Sequence, residues 1–178
     1  LAPAIKRLGQ APLVVDDRPG LTMSQMRGAA KRWKQHFGEL GVVIIDHAGI
    51  VQADDKKLPR EQQVAEVSRQ AKVMAKELDC CVILLAQINR DNKVRKDKRP
   101  ILSDLRESAS LQHNADLVVF VYRDEVYDPN TEHWGVMEWI FAKQRDGATG
   151  TALTVCNMAC SQLQPFNGEN ISNYRREN

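Results

Sequence analysis

The sequence predicts an α/β fold, a mostly parallel sheet with flanking helices, and three observations carry that prediction. Val42-Val43-Ile44-Ile45 is a continuous β-branched run closed by Asp46, and Cys81 to Ala86 repeats the pattern. Between them, Arg60 to Leu78 places Val64, Val67, Ala71, Met74, Ala75 and Leu78 on one helical face. Continuous apolar strands separated by an amphipathic helix are the pattern of strands buried on both faces of a parallel sheet and joined by right-handed crossovers.

The remaining elements follow in order. Leu1 to Ile5 offers no recognisable start of a fold, and the chain is read as a piece of a longer protein. Leu13-Val14-Val15 reads as a short strand ending in Asp16-Asp17, and Pro19-Gly20 turns toward Thr22, a helix cap. Met23 to Phe37 then recurs as Met23, Met26, Ala30, Trp33 and Phe37 at helical spacing, until Gly38 and Gly41 close it. After the second buried strand, Gln87 to Pro100 is polar, basic and too long for an ordinary connection. Ser103 caps a short helix to about His113, and strands follow over Leu117–Tyr122, Val136–Ala142 and Thr151–Val155, with turns at Asp128-Pro129-Asn130 and Asp146-Gly147.

The chain has 178 residues, 43% hydrophobic and 27% charged, enough for one domain or most of one. Residues 1–160 are expected to form it and residues 161–178 a flexible tail. No apolar run approaches the roughly 20 residues a membrane span requires, and no signal peptide opens the chain, so a cytoplasmic protein without a membrane partner is expected. Cys80, Cys81, Cys156 and Cys160 lack zinc spacing and read as reduced thiols. A net charge of +2 does not announce nucleic acid by itself; its distribution matters more.

Four features point to chemistry. Asp46 ends a buried parallel strand, where open α/β sheets place their ligands and where a carboxylate holds magnesium directly or through water. An acid ending a strand is also a common solvated turn residue. Gln87, placed equivalently on the next strand, is suited to sense a terminal phosphate and pass that state into the basic stretch; solvation of a strand end is the plainer alternative. From Arg90 to Arg106 seven cations face three acids, an excess suited to gripping the backbone of a single-stranded nucleic acid, or simply a solvated surface. Lys143 and Arg145 alternate onto one side at a strand end, either to neutralise phosphate or to guard a sheet edge against aggregation. No G-x-x-x-x-G-K-[ST] loop is present, and no hydrolytic triad or zinc motif.

Taken together, Asp16-Asp17-x-Pro-Gly-Leu-Thr, Val43-Ile44-Ile45-Asp46, Ala75-Lys76-Glu77-Leu78 and Gln87-x-Asn89-Arg90 resemble the second half of the DnaB-type helicase motor. Asp97-Lys98-Arg99-Pro100, Ser103-Asp104-Leu105-Arg106-Glu107-Ser108, Ala115-Asp116, Tyr122-Arg123-Asp124-Glu125 and Ala142-Lys143-Gln144-Arg145-x-Gly147 continue the resemblance in order. Each motif is weak alone; the ordered series is specific.

That resemblance implies the C-terminal portion of a RecA-like P-loop NTPase core, working with ATP and Mg2+ in a homo-hexameric ring that moves on single-stranded DNA and separates duplex at replication forks. It implies primase and a helicase loader as further partners. Carried over, Asp46 is the magnesium-associated acid and Gln87 the coupling residue, while Lys143 and Arg145 reach the ATP of the adjacent subunit. Arg106, Glu107 and the backbone near Ala109 form the DNA-holding loop, with Lys98 and Arg99 beside it. The phosphate-binding lysine and catalytic glutamate belong upstream, so this portion alone is expected to be inactive. The alternatives are a non-catalytic DNA-binding or ring-assembly module and a recombination or regulatory ATPase of the same fold. Three departures stand out. His47-Ala48-Gly49 replaces the family's usual Tyr-Leu-Gln, Ala109 stands where a glycine is common, and Gln112-His113-Asn114 replaces a more acidic stretch.

Overall fold

The computed structural model describes residues 2–54, 57–88 and 95–167. The chain divides into two compact units, residues 1–87 and 88–178. The division falls at the basic stretch that interrupts the α/β rhythm of the sequence.

In the first unit, helix α1 spans Ala2–Gln10. The sequence carried no expectation of it, although Pro3 is tolerated in a first turn, where its missing N–H has no intrahelical partner. Leu13-Val14-Val15 forms no strand and is exposed. A strand needs a neighbour to pair its N–H and C=O groups, and among the described residues none pairs with this run.

Helix α2 spans Met23–Phe37, as its periodicity predicts. Thr22 caps it reciprocally: Gln25 N donates to Thr22 Oγ1 at 3.3 Å and Thr22 N donates to Gln25 Oε1 at 2.9 Å. Gly38, at φ 84°, ends it. Strand β1, Val42–Ile45, leads through a 3-10 turn at Ala48–Ile50 to helix α3, Arg60–Leu78. Strand β2, Cys81–Leu84, returns parallel to β1 with Ile45 opposite Leu84. The core gathers Met23 and Ala30 of α2, Ile45, and Val67, Ala71, Met74 and Leu78 of α3. Ion pairs from Arg27 and Lys31 to Glu77 tie α2 to α3 at the rim.

Burial of these strands differs from the expectation of two covered faces. Val43, Ile45, Val82 and Leu84 pack on the core, whereas Ile44 is 61% and Ile83 45% exposed. Paired residues of parallel strands share a face. Helices α2 and α3 cover one face of β1–β2, and the opposite face stays apolar and open.

In the second unit a 3-10 stretch, Leu102–Ser108, bends at Leu105 and runs into helix α4, Ala109–Asn114. Four antiparallel strands follow in spatial order, β3 (Leu117–Tyr122), β4 (Val136–Gln144), β5 (Gly150–Asn157) and β6 (Gln162–Pro165). The short turns between β4, β5 and β6 suit hairpins, whereas parallel pairing needs a crossover of about a dozen residues or more. A bulge shifts the β3–β4 register between Val118 and Val119, so that Val118 faces Lys143 and Val119 faces Phe141. Strand β6 falls within the expected tail of residues 161–178, of which residues 168–178 lie outside the described residues. All four cysteines are free.

Candidate functional site

The carboxyl end of the parallel pair is knitted together just where Asp46 and Gln87 emerge. Leu85 N donates to Ile45 O at 3.0 Å and Ala48 N donates to Leu85 O at 2.8 Å, so the chain leaving β1 is tied to the chain leaving β2. Asp46 follows β1 directly, its side chain 79% exposed, and Gln87 lies exposed beyond β2. The structure thus brings these two sequence-predicted residues to one end of the sheet.

The His47-Ala48-Gly49 departure is internally consistent. His47 Nδ1 lies 3.9 Å from Asp46 Oδ1, and the His47 ring occupies the space a side chain at residue 49 would need, since a Cβ there would stand 2.7 Å from Nε2. Gly49 therefore accommodates His47. Ala48 sits in the core, and Arg60 donates to the Gly49 carbonyl. The peptide between Asp46 and His47 is cis.

Asp46 suits a hydrated cation better than a protein cage. Among the described residues no group of three or more His, Cys, Asp or Glu could hold a metal. A single exposed carboxylate fits magnesium, which keeps several of its waters and takes only one or two protein ligands beside a nucleotide.

In the second unit much of the charge that reads as mobile in the sequence is fixed. Arg95 donates to both oxygens of Asp104, at 3.1 and 2.7 Å, and to Arg99 O at 2.9 Å. Arg99 donates from Nε and Nη2 to Glu138 at 2.8 and 2.6 Å and lies 5.0 Å from the centre of the Tyr122 ring. Tyr122 donates to Asp124 Oδ1 at 2.5 Å, and Thr131 donates to its other oxygen. Lys98 Nζ donates to Arg95 O. Hydrogen bonding to Glu138 raises the Arg99 pKa, while burial and then the bond to Asp124 raise that of Tyr122. The hydrogen bonds from Thr131 and Tyr122 lower that of Asp124. Arg99, expected beside the DNA loop, thus has its guanidinium engaged by a carboxylate and a ring. Glu138 went unnoticed in the sequence, although a lone acid inside an apolar strand implies a buried cation partner.

Arg106 and Glu107 fall in the 3-10 stretch and Ala109 opens α4. Their side chains lie outside the described residues, as do Arg90 and Lys93.

Lys143 lies at the end of β4, opposite Val118 of β3, and Arg145 directly follows the strand. Lys143 Nζ donates to Gln112 O at 2.6 Å and lies 3.5 Å from His113 O. Arg145 Nη1 donates to Asp116 Oδ1 at 2.9 Å and Arg145 N to Asp116 O at 2.9 Å. Both cations converge on the junction between α4 and β3. The pairing of Asp116 with Arg145 has no local sequence signal.

A helix-covered parallel pair followed by an antiparallel sheet is consistent with the later portion of a RecA-like ATPase core. The chain belongs to the DnaB-like helicase C-terminal domain family, which matches residues 1–164. It is 43% identical over 152 residues to the replicative DNA helicase DnaC of Bacillus subtilis, covering 85% of this chain and 33% of that protein. It is 45% identical over 138 residues to the replicative DNA helicase DnaB of Pasteurella multocida, covering 78% of this chain and 30% of that one. A solved ATPase domain superposes with a TM-score of 0.89 at 32% identity, covering 93% of this chain and 59% of that domain. A solved DnaB-like replicative helicase, described together with its interactions with primase, also scores 0.89, at 33% identity, and covers 94% of this chain and 41% of its own. The chain spans about a third of the length of the curated relatives it matches. Among the described residues no helix is long and apolar enough to cross a membrane.

Proposed function

We propose that the protein carrying this sequence is an ATP-dependent replicative DNA helicase, a homo-hexameric ring that moves on single-stranded DNA and separates duplex at replication forks. The observation that carries this reading is the exposed Asp46 carboxylate at the carboxyl end of the parallel pair, the end from which Gln87 also emerges. Asp46 would help hold magnesium, which would offset charge on the phosphates, and Gln87 would read the terminal phosphate and pass that state into the chain that follows. Lys143 and Arg145 meet the phosphates of ATP held by the adjacent subunit, where a point charge and a planar fork of donors offset the charge of phosphoryl transfer. Bound ATP supplies the hydrolysis that drives movement. Arg106, Glu107, the backbone at Ala109 and Lys98 hold the DNA backbone, a contact independent of base sequence. Arg99 supports that segment through Glu138 rather than touching DNA itself. Primase and a loader are the protein partners this reading entails, and the cytoplasm its compartment.

The test is ATP hydrolysis by mixed rings of the full-length protein. Asp46→Asn and Arg145→Ala subunits, each nearly inactive alone, should regain activity when mixed before assembly, because some interfaces then pair an intact Asp46 with an intact Arg145 from its neighbour. Two variants that are each inactive and stay inactive after verified mixing would place both residues in one subunit's site and contradict the reading.

A further inference from the structure

The contacts of Arg145 give Asp116 a task that nothing in its sequence position suggests. Asp116 accepts from Arg145 twice, its carbonyl from the backbone N–H and its Oδ1 from Nη1, each at 2.9 Å. The first bond fixes where the residue leaves β4, and the second fixes where its guanidinium points. Among the described residues this guanidinium is engaged through Nη1, so the other donors of the planar fork can meet an anion without breaking the contact. Lys143 is held in the same neighbourhood by Gln112 O and His113 O, carbonyls at the C-terminal end of α4, where helix carbonyls lack intrahelical donors and attract cations.

We propose that Asp116 is a positioning residue for ATP hydrolysis, its carboxylate holding the Arg145 guanidinium in place for the phosphates bound by the neighbouring subunit. The inference rests on the reading of Arg145 given under Proposed function. It deepens that reading, because α4 begins at Ala109 and ends at the junction that anchors both cations.

The test is a double-mutant cycle on the full-length hexamer, reading kcat and KM for ATP at saturating single-stranded DNA. Arg145 is half-exposed and its bond to Asp116 orients rather than creates the phosphate contact, so Asp116→Ala is expected to lower kcat roughly five- to tenfold with KM within about twofold. On the Arg145→Ala background the same substitution should cost nothing further, and Asp116→Glu should restore part of the loss. Unchanged kcat in Asp116→Ala, or a loss that multiplies in full onto Arg145→Ala, would overturn the proposal while leaving the role of Arg145 intact. Full activity in Arg145→Ala alone would instead remove the reading on which it rests. If Asp116→Ala does not assemble, Asp116→Asn serves the cycle: a lowered kcat that is non-additive with Arg145→Ala supports the proposal, and wild-type kcat or an additive loss overturns it.

Discussion

The charge of Arg99 suits either a DNA phosphate or a buried carboxylate, and its surroundings supply the carboxylate. Its side chain is 40% exposed, but Glu138 beneath it is only 11% exposed, and the bidentate bond makes that buried carboxylate tolerable. Removing the guanidinium strands a charge inside the second unit. Arg99→Ala is therefore expected to cost about 2–3 kcal/mol, discounted for the partial exposure of the pair, and to shift the denaturant midpoint accordingly. The salt dependence of single-stranded DNA binding should keep its slope, which would drop by roughly one unit if Arg99 neutralised a phosphate. The sequence displayed Asp46, Gln87, Lys143 and Arg145 because strand ends are readable from hydrophobic runs. It concealed the pairings of Arg99 with Glu138 and of Arg145 with Asp116, which join residues 39 and 29 positions apart.

Elements stabilised by their own residues were the legible ones. Helix α2 matches its expected span because a local cap, a period and a stop signal coincide, whereas α3, without a side-chain cap, matches its own on its period alone. The cap of α2 gives a direct check. Thr22→Ala removes the acceptor for Gln25 N and should cost about 1 kcal/mol, read as a lower thermal midpoint, while Thr22→Asp should hold most of the stability. Elements that depend on a partner were not legible. Leu13-Val14-Val15 has strand composition but no neighbouring strand among the described residues, whereas Gln162–Pro165 lacks strand composition and becomes β6 through pairing with β5. The continuous apolar runs of β1 and β2 announced two buried faces, yet α2 and α3 cover one.

At the scale of the whole molecule, carboxylates held below their ordinary pKa add an acid-sensitive contribution to stability. Asp124, held below its ordinary 3.8 by Thr131 and Tyr122, and Glu66 and Glu77, held below 4.5 by Arg69 and Lys31, all favour the charged form in the folded chain. Their stabilisation is complete above those ordinary values and is lost as pH falls through the lowered folded ones. The thermal midpoint should accordingly drop as pH falls below about 4. Asp124→Asn should lower the midpoint at pH 7 and reduce the drop; an unaltered acid profile would show that Asp124 contributes nothing to it.

Family membership rests on an ordered series of motifs across both units, and the motor reading rests on what the end of the parallel pair does with ATP. The most direct measurement is ATP-dependent strand separation on a forked DNA duplex by the full-length protein, wild type beside Asp46→Asn. Unwinding by the wild type should require ATP and magnesium and should fall at least about a hundredfold in the variant with its hexamer intact, as the motor reading demands. Unwinding that survives Asp46→Asn, or a wild-type ring that binds single-stranded DNA and never separates duplex, would contradict it.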